Sequence, residues 1–545
     1  MIMKKRYFLF ALSALVLTMP VWAQNNNLLP DRTMTIEGDY NPSLQKGEKI
    51  TVVSEQIDTE RKAGTVQYVT EEQQVVGYGR SPMKVIDTEI DIIEVDLFSG
   101  LVSAGYGLRN NLDALVDLKL ATLDGSVFGL GGYAQGWNTV LDDDWRSKMF
   151  NTSGELSFMH DFDNVALQFN ADYGYRNYNF RKGDDFELFG NGYNRFNRII
   201  NEGSMFASLF STGSSMWDYY LQVGYQGLKA DKLLINDKSK DYDENILRVY
   251  ANMAMPLGSG ILNVDYSQKS LLGDKYSAMT VTPSWIWSNE KLFLSVGANV
   301  DFRTKKEDNI LASPMVVFKQ NLKTTKNADF VLLTEVTGGL IDNDMRSLWE
   351  ISPYWTSQNK VKDGYTLVDL YSGVSMSLTD RVTFVIGNGY SYTKNAVFQT
   401  LSDSLIVSSM LEQHNSGLFY NKLSVDVEMS SLLNMRFEAT HYDWTNKNLG
   451  KALAYKPEWD ILLDTRFVIT DELDMTLTYN FSNFHEYEGK RVNSINDLSL
   501  GADYRFRNNF SLFADVNNIF NSSHYYYAGY MAQKFNFVVG AAYRF

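Results

Sequence analysis

The last eleven residues of the chain alternate strictly. Phe535, Phe537, Val539, Ala541, Tyr543 and Phe545 share one parity, and Asn536, Val538, Gly540, Ala542 and Arg544 the other. Successive side chains of a strand point to opposite faces, so this is a strand with one apolar, aromatic face and one small or polar face. A buried strand of a soluble sheet has no reason to stop on an exposed aromatic. The pattern predicts that the apolar face meets a solvent other than water.

The N-terminus sets the compartment. Lys4, Lys5 and Arg6 precede the apolar run Tyr7–Leu17, and Val21-Trp22-Ala23 places small residues at the two cleavage positions. This is the pattern of a secretory signal over residues 1–23. No later stretch has the ~20 consecutive apolar residues of a membrane helix. A chain without such a helix still crosses a bilayer as a closed barrel, in which every backbone group is paired. Only alternate residues of a barrel strand meet lipid, so the mean hydropathy of −0.25 is compatible with that solution. There are 33 tyrosines against 9 prolines, enough to supply aromatic girdles at two membrane interfaces. The absence of cysteine excludes disulfides, thiolate metal sites and a lipid anchor on cysteine. The formal charge of −15 becomes more negative once the signal's basic residues leave, which argues against a nucleic-acid partner.

Residues 24–95 are polar, acidic and poor in aromatics, and predict an extended periplasmic segment that folds against the barrel or a partner. From residue 96 to 545, alternating segments of ~10 residues recur between turns. Val165, Leu167, Phe169, Ala171, Tyr173 and Tyr175 oppose Gln168, Asn170, Asp172, Gly174 and Arg176. Leu292–Phe302 and Leu498–Phe506 repeat the arrangement. Short connections, such as Asp163-Asn164, Thr379-Asp380 and Asn508-Asn509, alternate with long ones at 138–150, 181–194, 234–242, 342–363 and 398–413. Short turns on one side and long loops on the other predict an all-β, antiparallel transmembrane β-barrel of roughly 22 strands with both ends periplasmic. Leu348-Trp349-Glu350-Ile351 reads as loop or strand.

Near the end, Asp515-Val516-Asn517-Asn518-Ile519-Phe520-Asn521 precedes Tyr525-Tyr526-Tyr527 and the Phe-terminated strand. This resembles the penultimate-strand motif of TonB-dependent receptor barrels, especially those of Bacteroides-like bacteria, over about the last 50 residues. The resemblance implies an outer-membrane location and solute transport. It also implies a plug of roughly 150 residues inside the lumen. Residues 24–95 are too few for one, so the chain looks like a relative without a conventional plug. Two classes of function follow. One is transport of a small solute or glycan. The other is a structural or assembly subunit of an outer-membrane complex, with lipoproteins or other outer-membrane proteins as partners beside outer-membrane lipid.

No residue pattern points to catalysis, a cofactor or a metal centre. Gly129-Leu130-Gly131-Gly132-Tyr133-Ala134 matches a dinucleotide fingerprint but sits within a strand pattern, with no helix to follow. The five histidines, His160, His414, His441, His485 and His524, form no metalloprotease motif. Asp142-Asp143-Asp144 and Asp241, Asp243 and Glu244 fall in expected loops without calcium-loop spacing. Asp426, Glu428, Arg436, Glu438, Asp464, Arg466, Asp503 and Arg505 fall on expected lumen faces. They predict cross-strand charge pairs that brace a wide barrel or line a channel. A lumen this wide without a plug must be filled by the N-terminal segment, by inward-folded loops or by a partner.

Overall fold

The computed structural model describes residues 98–545, apart from 123–125, 143–144, 163, 181–196, 213–217, 236–237, 255–259, 272–273, 305–309, 326–327, 356–360, 379–380, 402–408, 430–431, 446, 487–490 and 508. The stretches expected to be a signal (1–23) and a periplasmic segment (24–95) lie outside the described residues.

One sheet of 22 strands dominates. Its first strands are β1 (Phe98–Gly107), β2 (Leu112–Ala121), β3 (Ser126–Asp142), β4 (Trp145–Asp161), β5 (Val165–Asn179), β6 (Asn197–Ser211), β7 (Asp218–Ile235) and β8 (Lys238–Ala254). There follow β9 (Gly260–Leu271), β10 (Asp274–Ser288), β11 (Leu292–Arg303), β12 (Ile310–Thr325), β13 (Ala328–Ile341), β14 (Gly364–Leu378), β15 (Val382–Leu401) and β16 (Ser409–Met429). The series ends with β17 (Leu433–Trp444), β18 (Pro457–Val468), β19 (Leu473–Phe484), β20 (Ile495–Arg507), β21 (Phe510–Asn517) and, after a small separate hairpin, β24 (Asn536–Arg544). That hairpin is β22 (Tyr525–Tyr527) and β23 (Tyr530–Met531). Each strand pairs antiparallel with the next, β21 pairs with β24, and β24 pairs with β1. The sheet is therefore a closed ring with no free edge.

The seam explains two glycines. Gly105 lies opposite Gly540. A Cβ on Gly540 would overlap the Phe513 ring and the Ala104 carbonyl, so only glycine lets the last strand approach the first. Phe545 completes the closure: its carbonyl accepts from Gly100 N at 2.8 Å, and its own N–H donates to Gly100 O at 3.0 Å.

The alternation resolves into an outer and an inner face. Val539 and Tyr543 of β24, Phe169 and Tyr173 of β5, Val296 and Phe302 of β11, and Tyr504 and Phe506 of β20 are exposed, while Asn536, Val538 and Ala542 of β24 are buried. Exposed apolar side chains recur around the ring on the outward parity. Such a belt is unstable in water and stable in lipid.

Both barrel ends of the chain lie at the short-turn end of the ring. The other end differs from expectation in one respect. Of the stretches expected to be loops at 138–150, 234–242 and 398–413, most residues are strand: β3 pairs with β4 as far as Asp142↔Trp145, β7 with β8 as far as Ile235↔Lys238, and β15 with β16 as far as Leu401↔Ser409. These hairpins rise past the apolar belt, where water replaces lipid and the outward residues lose their apolar signature. The 342–363 connection is different again. It contains a helix, α1 (Met345–Ile351), where loop or strand had been expected.

Candidate functional site: a cap built from two loops

The helix forms for local reasons. Asp344 is its N-cap, with the carboxylate accepting from Ser347 N at 2.8 Å. Met345, Leu348 and Trp349 fall at helical spacing and are all buried, so α1 hides one face. Ser352, in extended conformation ahead of Pro353, ends it.

The buried face of α1 packs against the inner wall of the barrel. One cluster joins Met345, Leu348, Trp349, Tyr354, Trp355 and Val361 of this loop to Met149 of β4, Tyr178 of β5, Ile200 of β6, Leu228 and Ala230 of β7, Tyr276 of β10 and Leu411 of β16. Polar groups fasten the same loop to a wide arc of wall. Glu244 of β8 accepts from Met345 N at 2.8 Å. Arg346 donates to Glu202 of β6 at 3.1 Å, and Arg176 of β5 pairs with the same carboxylate. Lys269 of β9 pairs with Asp342. Tyr276 donates to Asp363 at 3.2 Å, with Arg303 of β11 at 3.9 Å from that carboxylate. Ser352 meets Ser409 of β16, Oγ to Oγ, at 2.9 Å. The central fastener is Arg198 of β6. It is fully buried, lies over the Phe180 ring at 4.7 Å, and donates to the Pro353 and Trp355 carbonyls at 3.0 and 3.1 Å. Charge-assisted bonds of this kind are worth ~1.5–3 kcal/mol each.

The second loop is the C-terminal connection, residues 518–535. The Val-Asn-Asn-Ile-Phe-Asn motif builds it. Asn518 and Asn521 adopt φ of 48° and 52°, a left-handed conformation that asparagine tolerates better than most residues. Asn518 is fully buried. Its backbone N–H donates to Asp497 at 3.1 Å, its amide donates to the Ser522 and Gln533 carbonyls at 2.9 and 3.0 Å, and its side-chain oxygen accepts from Ser522 N at 2.9 Å. Gln533 exchanges paired amide bonds with Asn111 at the β1–β2 turn, at 3.1 and 3.2 Å. This knot points the β22–β23 hairpin inward. Gln399 of β15 receives it, accepting from Ala528 N at 3.0 Å and donating to the Tyr526 carbonyl at 3.4 Å.

The two loops meet ring on ring. Tyr354 stacks on Tyr530 with centroids 3.7 Å apart and planes 5° from parallel. Tyr527, Tyr178 and Phe180 edge against Tyr354 at 5.8–5.9 Å. Burial drives the Tyr354 phenol well above its usual range, and that of Tyr527 likewise. The Tyr455 phenol, in the β17–β18 loop, rises to about 12 through burial, opposed by a hydrogen bond with the Gly529 backbone. His524 is fully buried, and desolvation lowers its pKa against the opposing field of Asp497. Residues of β4–β11, β15 and β16 and the end of the chain thus meet in one assembly at the long-loop end. Inward-folded loops, one of the three expected fillers, cross the lumen there.

Below the cap the inner wall carries the expected charges. Asp426 lies opposite Arg436, with side chains 3.9 Å apart, and Arg436 and Lys422 share Glu438. Arg466 and Arg505 converge on Asp474 at 2.7 and 3.6 Å, and Asp464 accepts from Thr478 at 3.1 Å. These groups neutralise one another and brace the wall.

The remaining sequence candidates disperse. Gly129–Ala134 lies inside β3, with no helix after it. Asp241, Asp243 and Glu244 are strand residues of β8, and Glu244 is occupied by the α1 N-terminus. His160 bonds Ser126 at 2.7 Å, yet among the described residues no carboxylate or amide orients its ring. His414 pairs with Glu412 at 3.2 Å, His441 packs on Trp459 at 4.7 Å, and His485 is lowered by burial. Arg198 and Glu202 were not among the sequence candidates and Glu244 was read only as a loop carboxylate, because their cap partners lie more than 100 residues away along the chain.

The architecture has known counterparts. A ferric enterobactin receptor from Pseudomonas aeruginosa, in complex with enterobactin, superposes with a TM-score of 0.59 at 10% identity, over 82% of this chain and 81% of that one. The ferric-catecholate import receptor Fiu of Escherichia coli K12 gives 0.61 at 10% identity, over 82% of each chain. The siderophore receptor PiuA of Acinetobacter baumannii gives 0.60 at 11%, over 83% and 82%. The fold is that of the outer-membrane receptor barrels. No family model and no curated protein sequence matches the chain.

Proposed function

We propose that this chain is an outer-membrane barrel of receptor type that passes a small solute, and that the cap of residues 342–355, 361–363 and 518–535 is its gate. The observation that carries this reading is the cap's construction. It is held across the lumen by side-chain bonds and ring contacts, so it can leave while the strands stay paired. The likeness of the fold to siderophore receptors supports transport of a small solute. The short-turn end, where both barrel termini lie, faces the periplasm in this reading. The segment 24–95 is periplasmic in this reading, and the two loops do the work of a conventional plug.

Conductance of purified protein in a planar bilayer, with potassium chloride as the permeant, tests this. Wild type is expected to be silent. Arg198→Met, which removes the fastener of Pro353 and Trp355, is expected to give large unitary steps while the barrel stays folded. A large, steady conductance from wild type would overturn the reading, as would a silent, folded Arg198→Met.

A further inference from the structure

The outward belt is broken on one side. On β5, β11, β20 and β24 the outward residues within the belt are aliphatic, aromatic or alanine. On β13, β14, β15 and β16 each strand instead turns one polar side chain outward: Thr334, Ser372, Asn388 and Asn421. The register makes them one row. Thr334 lies opposite Ser372, Ser372 opposite Asn388, and Asn388 opposite Asn421. The next strand continues it, with Asn421 opposite His441 and His441 opposite Trp459.

The first four residues lie within the apolar belt and not at its rim. Two positions away on each side stand Leu332 and Val336, Leu370 and Val374, Ile386 and Tyr390, and Phe419 and Leu423. Ile386, at 61% exposed, shows how open this wall is. Thr334 and Ser372 satisfy each other, hydroxyl to hydroxyl, at 3.0 Å. The Asn388 and Asn421 side-chain amides have no hydrogen-bonding partner among the described residues. An amide turned to hydrocarbon without a partner is costly, because lipid offers neither donor nor acceptor.

We infer that this row is a contact surface between two copies of the chain within the membrane. A side-chain amide carries both donors and an acceptor. A two-fold axis along the membrane normal, passing beside Asn388 and Asn421, therefore sets amide against amide and satisfies both copies with one surface. Such isologous contacts need no second complementary patch. Polar side chains are a recognised adhesive where helices meet in a membrane, and the same chemistry applies to a barrel wall. The inference requires the barrel to span a bilayer but not that it transports anything.

The chain has no cysteine, so single cysteines report neighbours without further engineering. Asn388→Cys and Asn421→Cys are made separately, with Leu156→Cys on the outward face of β4, across the ring, as the control. Native outer membranes are oxidised with copper phenanthroline and run without reductant. Disulfides demand close approach of the two backbones. A band at twice the chain mass from at least one row position, and none from Leu156→Cys, is expected. In lipid nanodiscs the double variant Asn388→Leu/Asn421→Leu is expected to lower the dimer-to-monomer ratio about tenfold, with the barrel's heat-modifiable migration unchanged. Monomer only at both row positions, equal cross-linking at Leu156→Cys, or cross-links solely to another polypeptide would overturn the inference. So would a folded double-leucine variant that dimerises as wild type does.

Discussion

At the scale of single residues, three side chains of the cap and its wall carry separable predictions. Asn518 combines a left-handed backbone with side-chain bonds to three backbone groups. Asn518→Ala is expected to cost about 2–3 kcal/mol in hairpin docking, from lost bonds and a strained φ. Asn518→Gly keeps the backbone and loses only the bonds, so it costs less; urea-dependent hydrogen exchange over 518–533 measures both. Arg198 holds two carbonyls through one nitrogen, Nη1, while its planar guanidinium lies over the Phe180 ring, a flat contact that a lysine ammonium does not reproduce. Arg198→Lys is therefore expected to loosen the cap almost as much as Arg198→Met. His524 sets a pH dependence. Its pKa is lowered in the docked hairpin, so the released hairpin binds the proton more readily. Docking is then fully stable above the free histidine value of about 6.5 and weakens as pH falls below it. Exchange over 525–533, corrected for intrinsic rates, is expected to accelerate between about pH 7 and pH 5, and not to do so in His524→Asn.

At the scale of elements, the strands were legible and the cap was not. A barrel strand writes its two solvents into the chain at period two, and residues such as Val165–Tyr175 carry that signal locally. The seam motif was visible too, though its work, a left-handed knot that turns a hairpin inward, appears only with Asp497 and Gln533 in place. The helix α1 is too short to show a period, and Leu348-Trp349-Glu350-Ile351 is equally at home in a strand. Its wall partners Glu202 and Arg198 look like ordinary strand residues, and Glu244 like an acid of an expected loop, until the loop is set against them. The hairpins above the belt were hidden for another reason: strands with water on both faces lose the apolar parity on which the reading depends. Removal of α1 tests the division between wall and gate. Replacing residues 345–355 by a short glycine-serine linker is expected to leave heat-modifiable migration intact and to open the channel. Loss of the folded band would make the loop part of the barrel's stability instead.

At the scale of the whole molecule, a ring of strands with an apolar exterior and charge pairs on its interior is crossed at one end by its own loops. Ring closure depends on small residues at the seam, and the prediction there is sharp. Gly540→Val drives a side chain into Phe513 and the Ala104 carbonyl and is expected to abolish the heat-modifiable folded form. Gly154→Ala, whose nearest neighbour atom is 4.0 Å away, is expected to fold as wild type does.

The cap as gate is the central claim, and Ser352 and Ser409 offer the direct measurement. Their Oγ atoms are 2.9 Å apart, close enough for sulfurs at the same positions to bond. The double variant Ser352→Cys/Ser409→Cys is placed in a planar bilayer in potassium chloride, with urea at a concentration that leaves the strands intact. The account predicts silence while the disulfide holds and large conductance steps after reductant is added. Equal conductance in the oxidised and reduced states would contradict it.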